Sequence, residues 1–553
     1  MSSQKKSKSD NNFILQGSIL ATASIISRVI GLLYRIPLTA IIGKTGNDYY
    51  GTAYEVYNIL LIISSYSIPL AVSKLVSAKM AKKQAKNAIR ILIGSLIFAF
   101  ITGGGAGLLV YFGADYFTGD LLKTPLSAIA LRVLAPTLLI VAILGVLRGF
   151  FQGLHTMVPS AMSQIAEQIV NAIVSIAAAY MLYNYGLKAG GLLGNADNYA
   201  AAYGAAGGTL GTTSGAATAL IFMLLILIIY IPRHKEKMKS DRTKVTESYL
   251  DIFKILILTI IPVLLSTTLY NISSIIDQGI FKNIVNIQGY TSKQISEWWG
   301  VFTGQYKVLI NVPISIASAL AASSVPSLSA SFAEGNSKKV RRQIQSVTRF
   351  IMVIAFPCAV GMAVLAKPVM MMLFQDSDKT SSLMLQVGAV SIVFYSLSTL
   401  SNGLLQGVDK MKEPVKNAII ALVLHIIVLI LLLLVFNLNI YAVIIANAVY
   451  ALLMCILNQM SLNKHCKVYY NTRTTFILPA ISALIMGLVV FGVYNLFYNI
   501  LHSNMISVVI SILVGIIEYF VSMLLLHGIS EEDILRLPKG RLLVNLAKKV
   551  HLL

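Results

Sequence analysis
The chain is 553 residues long, 56% hydrophobic and only 12% charged, which is too apolar for a water-soluble protein of this size. Its formal net charge of +22 is spread over alternate loops, so the positive-inside bias of a membrane protein accounts for it and nucleic-acid binding is set aside. Three cysteines, Cys358, Cys455 and Cys466, lack metal-like spacing and argue against a disulfide framework or a zinc site.

Residues 1–12, MSSQKKSKSDNN, form a basic tail with no small-residue cleavage site after a short apolar core, so no removable signal peptide is expected. Apolar spans follow at 13–42, 51–78, 89–113, 126–148, 160–186, 204–232, 252–281, 298–325, 347–374, 381–407, 415–437, 440–462, 474–498 and 504–527. The reading is an all-α integral membrane protein of about fourteen transmembrane helices. Lys79 to Lys86, Arg233 to Lys244, Lys338 to Arg342, Lys410 to Lys416 and Lys464 to Arg473 fall on one side, with Asp115, Asp120, Asp197, Asp376 and Asp378 on the other. Both termini are therefore expected in the cytoplasm. The loops are too short to fold a catalytic domain, which points to a transporter rather than an enzyme. Residues 529–553 mix Leu, Val and Lys/Arg as a helix lying on the membrane surface would.

A repeat organises these spans. GFFQGLHTMVP (149–159) after the fourth span recurs as GLLQGVDKMKEP (403–414) after the tenth, and SIPLAVS (67–73) resembles NVPISIA (311–317). An offset of six spans preserves topology, so two six-helix lobes form a parallel repeat with a cavity expected between them. The N-lobe covers 13–232, a cytoplasmic linker 233–250, the C-lobe 251–463, and two further helices 464–528, outside the duplication. Pro37, Pro69, Pro262 and Pro313 lie inside spans, where each invites a bend.

Polar residues at helical spacing mark candidate cavity faces. The first span carries Ser24, Arg28, Gly31 and Arg35 on one stripe, the fifth Gln164, Glu167, Asn171 and Ser175. The seventh offers Thr267, Asn271, Ser274 and Asp277, and the eighth Lys307, Asn311, Ser315 and Ser318. Counted from residue 298, Lys307 lies about 13 Å deep. Intramembrane charges are costly and mark pathways or pairs. Guanidinium forks and an ammonium suit a diphosphate, so Arg28, Arg35 and Lys307 are the candidate anion-binding cations. Glu55, Glu167, Asn171 and Asn311 join the candidate headgroup set. The structural alternative is that Arg28 or Arg35 pairs with Glu55 or Glu167 to lock helices together. Asp277, with Asn271, is either a counter-ion for Lys307 or a ligand for a coupling cation. Lys74, Arg132 and Lys367 sit near span ends, where they snorkel. Glu518, near the middle of the last span, has no partner identifiable from sequence.

SRVIGLLYRIPLTAIIG, NDYYGTAYEVYNILLIISSYSIPLAVSKLVS and VPISIASALAASSVPSLSASFAEGN resemble the MurJ, SpoVB and YtgP branch of the multidrug/oligosaccharidyl-lipid/polysaccharide (MOP) exporter superfamily. The likeness runs over most of the chain. It implies a flippase carrying lipid II, the undecaprenyl-diphosphate-linked peptidoglycan precursor, to the outer leaflet of the bacterial cytoplasmic membrane. The family's first-helix arginine falls on Arg28, its loop aspartate on Asp48 and its helix-eight cation on Lys307. A second first-helix arginine is Arg35, while the family's helix-two arginine has no counterpart near Asn58. The resemblance thus adds Asp48 and Asn58 to the candidate headgroup set. A sodium site of some relatives maps to Asp277 without its acidic helix-eleven partner; Asn417 and His425 are the polar residues there. The resemblance also gives helices thirteen and fourteen a lipid-tail groove.

The expected mechanism is alternating access with no bound cofactor, driven by Na+ or H+ coupling or by the membrane potential. Expected partners are the lipid-linked precursor and membrane lipids, with cell-wall synthesis proteins as further candidates, and the chain is expected to be a monomer. The alternatives are export of another lipid-linked oligosaccharide and, disfavoured by the arginines, cation-coupled multidrug export. A membrane glycosyltransferase lacks loops of sufficient size, and a non-transporting scaffold remains a further reading.

Overall fold
The computed structural model describes residues 22–239, 241 and 247–528, and all regular structure among them is helical. The 1–12 tail, the start of the first span, residues 240 and 242–246 of the 233–250 linker and the 529–553 tail lie outside the described residues. The chain divides into two compact units, residues 1–304 and 305–553.

In the first unit α1 (Thr22–Leu33) leads into α2 (Arg35–Leu61), which breaks at Gly43. There φ is +70°, a left-handed conformation that glycine adopts without the penalty a Cβ brings. The break falls where the first predicted span ends. A π-helical turn, Ile62–Tyr66, joins α2 to α3 (Ile68–Ala81) and puts Pro69 in the first turn of α3, where its missing N–H costs nothing. Next come α4 (Ala85–Asp115), α5 (Ser127–Gly153), α6 (Val158–Leu192) and α7 (Ala196–Lys239), so the sixth span stays helical seven residues past 232. The predicted seventh span is interrupted at Ile272 into α8 (Tyr249–Asn271) and α9 (Ser273–Ile287). The eighth begins six residues early, as α10 (Ser292–Val301), closed by a Thr291–Gln294 capping box. That start adds about 9 Å to the helical path before Lys307.

The second unit contains α11 (Lys307–Ala333), α12 (Ser337–Val364), α13 (Ala366–Phe374), α14 (Lys379–Gly388), α15 (Ser391–Gly407), α16 (Lys412–Leu434), α17 (Asn439–Cys466), α18 (Leu478–Leu501) and α19 (Asn504–Leu525). Among the described residues eleven helical stretches are long and apolar enough to cross a membrane, or twelve if the bent pair α14–α15 (43°) is one span. The count of fourteen is thus not reproduced as such. Spans one and two fuse into one stretch from Arg35, span seven is split, and span ten is the bent pair.

The repeat is written in the backbone. After α5, the N–H groups of Leu154, His155 and Thr156 bond the carbonyls of Phe150, Gln152 and Phe151 at 2.9–3.1 Å; after α15, Val408, Asp409 and Lys410 bond Leu404, Gln406 and Leu405 at 2.9–3.1 Å. His155 and Asp409 share the same positive φ, 62° and 58°. The glycines of the repeated motif pack alike: a Cβ on Gly149 or Gly153 would meet Pro69 or Val76 of α3 within 2.7 Å. One on Gly403 or Gly407 would meet Ala321 or Leu328 of α11 within 3.0 Å. Pro69 therefore corresponds in packing to Ala321, two helical turns from Pro313, and the likeness of SIPLAVS to NVPISIA does not mark equivalent positions.

Candidate functional site
The polar stripe of α1 lies along α6. Ser24 donates to Gln164 (3.1 Å), Gly31 faces the Gln168 side chain, and Asn171 donates to the Tyr34 hydroxyl (3.4 Å). Arg28 is exposed within this stripe. Asn171 is itself buried and accepts from Ser175 at 3.0 Å.

Arg35 stands on an aromatic ring rather than on a carboxylate. Its guanidinium carbon is 4.2 Å from the centroid of Tyr50, which stacks in turn on Tyr54 at 4.7 Å, with Tyr57 edge-on at 5.7 Å. The ring face attracts the cation without using its N–H groups. Nη1 of Arg35 is buried and has no hydrogen-bond partner among the described residues. A planar cation held by its face and short of an acceptor is suited to an incoming anion.

The carboxylates are distributed differently from the structural alternative read in the sequence. Glu167 is bound by Arg148 of α5, Nη2 to Oε2 at 2.8 Å, and Ser163 accepts from Nε of the same arginine at 2.9 Å. Asp48 is 1% exposed and Lys282 2%, and they form an ion pair with Nζ 2.5 Å from Oδ1. Thr52 and Ser296 donate to the two oxygens of Asp48 (3.2 and 2.7 Å), and Lys282 donates to Thr124 (2.5 Å). Farther along, Ser274 donates to Glu55 at 2.6 Å. With its amide oriented to satisfy its neighbours, Gln278 donates to Glu55 (2.9 Å) and accepts from Lys282 (3.3 Å). These contacts form an antiparallel polar ladder, Asp48 with Lys282, Thr52 with Gln278 and Glu55 with Ser274, on facing stripes of α2 and α9. Gly300 of α10 lies against the α2 backbone at Lys44 and Asp48, close enough that no Cβ fits.

The remaining candidates lie elsewhere. Asp277 is buried on α9, and Asn271 and Asn58 are exposed. In the second unit Lys307 is half-buried at the start of α11 and Asn311 is exposed one turn on. Asn417 donates to Asn458 (2.9 Å) and Ser461 (3.1 Å), and His425 bonds the Ala446 carbonyl (2.9 Å), so both tie α16 to α17. Glu518 accepts from Ser522 one turn along α19. Arg132 reaches Asp115 at an exposed pair.

Lys282 and Arg148 are absent from the sequence-derived candidates. Lys282 lies one residue beyond the predicted end of span seven and Arg148 on the last residue of span four, where long cations read as snorkelling. The usable signal was the i, i+4 run Ser274, Gln278, Lys282, which matches Asp48, Thr52, Glu55 in reverse.

The model of the polysaccharide biosynthesis protein family matches residues 14–332, and the MatE model residues 308–431. The chain is 26% identical over 437 residues to the lipid II flippase MurJ of Bacillus subtilis (strain 168), covering 75% of this chain and 76% of that one. It is 26% identical over 400 residues to the uncharacterized membrane protein YabM of the same organism, covering 72% and 70%. Stage V sporulation protein B of that organism is 22% identical over 405 residues, covering 73% and 74%. Among solved structures, the lipid II flippase MurJ in an inward closed conformation superimposes with a TM-score of 0.64 at 15% identity over 91% of this chain and 97% of that one. An inward-facing multidrug resistance MATE family transporter does so at 0.62 and 15%, over 80% and 95%. These structural likenesses speak to the fold.

Proposed function
Because the chain belongs to the polysaccharide biosynthesis protein family, within the MOP exporter superfamily, we propose that it moves a polyprenyl-diphosphate-linked cell-wall precursor, lipid II foremost, from the inner to the outer leaflet by alternating access. The relatives support the class of cargo, and Arg35 supports the chemistry: its guanidinium rests on Tyr50 and keeps a buried Nη1 with no partner among the described residues. In this reading Arg35 and the exposed Arg28 receive the diphosphate, which two guanidinium forks bind better than point charges. The α6 amide Asn171 serves the headgroup in the first unit, where Glu167 holds Arg148 in place, and Lys307 and Asn311 are the second unit's own candidate headgroup residues. Export of one net negative charge gains about 2.3 kcal/mol per 100 mV of inside-negative potential, so the potential is the proposed drive. Asp277 and Asn271 are the residues to test for an added Na+ or H+ requirement.

The neutral Asn58 favours a second cargo, another lipid-linked oligosaccharide with a less anionic headgroup, since it is exposed on α2 and brings no charge. Proteoliposomes loaded separately with lipid II and with a lipid-linked neutral oligosaccharide distinguish the two by which one becomes accessible to an external enzyme. In a strain depleted of its own flippase, the wild-type chain is expected to restore growth, and Arg28→Ala and Arg35→Ala, at matched membrane abundance, to abolish it. Growth of both variants at the wild-type rate rules out the anion-binding roles.

A further inference from the structure
We propose that the basic end of the second unit holds the phosphate of an anionic phospholipid, with an acyl chain of the same lipid lying in an apolar groove on α12 and α17. Two cavities carry this. One, of about 410 Å³, lies where α11 gives way to α12 and α17 ends, and is lined by Phe332, Ser337, Arg341, His465 and Lys467 among others. The second, of about 490 Å³, is lined by Met352 and Phe356 of α12, Phe394 of α15, Leu452 and Ile456 of α17, and Phe476. Both lie in the size range of small-ligand sites, about 300 to 1,000 Å³.

The first pocket is built for an anion. Nε of Arg341 donates to the Cys466 carbonyl at 3.0 Å, which fixes the guanidinium at the mouth and leaves its Nη groups without partners among the described residues. Lys467 caps α17 in the left-handed conformation and likewise meets no carboxylate there. The neighbouring acid, Glu413, is occupied by His465 (2.9 Å) and Ser461 (3.3 Å). The start of α12 adds the positive end of a 28-residue helix at Ser337.

The groove sets a lipid apart from a free phosphate as the occupant. Its polar end is Gln459, bonded to Asn463 at 2.9 Å, and Asn463 is one helical turn from Lys467, so phosphate pocket and chain groove adjoin along α17. On α12 the intervening turn is covered, Gln345 donating to the Tyr469 carbonyl (2.5 Å) and Thr348 to the Tyr470 hydroxyl (3.4 Å). The positive-inside rule places this lysine-rich end in the cytoplasm, against the anionic inner leaflet.

The test is a thermal-shift titration of the detergent-purified full chain with dioleoyl phosphatidylglycerol, dioleoyl phosphatidylcholine and glycerol 3-phosphate. Phosphatidylglycerol is expected to raise Tm saturably where the other two do not. Arg341→Gln and Lys467→Gln are each expected to weaken its apparent affinity about fivefold, the weight of one surface cation near an anionic lipid. Lys338→Gln/Lys339→Gln, which removes two charges outside the pocket, is expected to leave the affinity within about twofold. If Arg341→Gln does not fold, Lys467→Gln alone decides. Unchanged affinity in Lys467→Gln, or an equal loss in the Lys338/Lys339 variant, overturns the site. Saturation by glycerol 3-phosphate as effective as by phosphatidylglycerol overturns the lipid as occupant.

Discussion

The Asp48–Lys282 pair shows how one residue's chemistry depends on its neighbour's burial. Removing one partner from a buried pair leaves an uncompensated charge and costs about 3 to 5 kcal/mol, whereas replacing both with apolar groups is close to neutral. Asp48→Leu and Lys282→Met are thus each expected to lower the Tm of the purified protein sharply, and the double variant to recover most of the loss. Additive losses in that cycle would show that the two do not interact. Arg35 poses the opposite case, since a ring face rather than a carboxylate holds it. Tyr50→Leu removes that support, worth about 0.5 to 2 kcal/mol, and is expected to reduce flipping at unchanged expression. Arg35→Lys, which keeps charge without the planar fork, is expected to fail in complementation as Arg35→Ala does. Arg28 and Arg35 were legible in the sequence as charges in an apolar stretch, and Asp48 only through the family resemblance, as a loop aspartate. Lys282 was not, because a lysine at a span end has a cheap alternative in the interface and nothing local tells which it takes.

At the scale of elements, small residues decide how closely helices approach. Gly207, Gly211 and Gly215 of α7 form an i, i+4, i+8 stripe against α6. A Cβ on Gly211 would lie 2.6 Å from the Asn171 carbonyl, and one on Gly215 would lie 2.5 Å from that of Glu167. Such stripes let membrane helices pack backbone to backbone where no hydrophobic drive is available. Gly211→Val is therefore expected to separate α6 from α7, displacing Asn171 and Glu167 together; it should lower both Tm and transport, while Gly105→Val, with open space around its Cβ, leaves both unchanged. The breaks at Ile272 and between α14 and α15 fall inside the predicted seventh and tenth spans, because an apolar window averages over an interruption of one or two residues. Predicted boundaries near Gly43 were sound because a glycine marks the break, whereas Ile272 carries no such mark.

At the scale of the whole molecule, topology follows from where the lysines and arginines fall. The positive-inside rule predicts that the basic loops face the cytoplasm, so a reporter fluorescent only in the cytoplasm is expected to light up when fused after residue 528, and a periplasm-active phosphatase is expected to be active when inserted near Asp197. The reverse pattern would invert the proposed direction of transport. Composition, span periodicity and the repeated G-x-x-Q-G words determined by themselves that this is a helical membrane transporter with an internal duplication, because a bilayer forces backbone polar groups into helices and punishes every stray charge. Which charges answer one another was decided by tertiary structure. Whether Glu167 meets Arg148, Asp48 meets Lys282 or Arg35 meets a ring depends on helix rotation and approach, set by glycines and breaks distant in sequence from the charges they bring together.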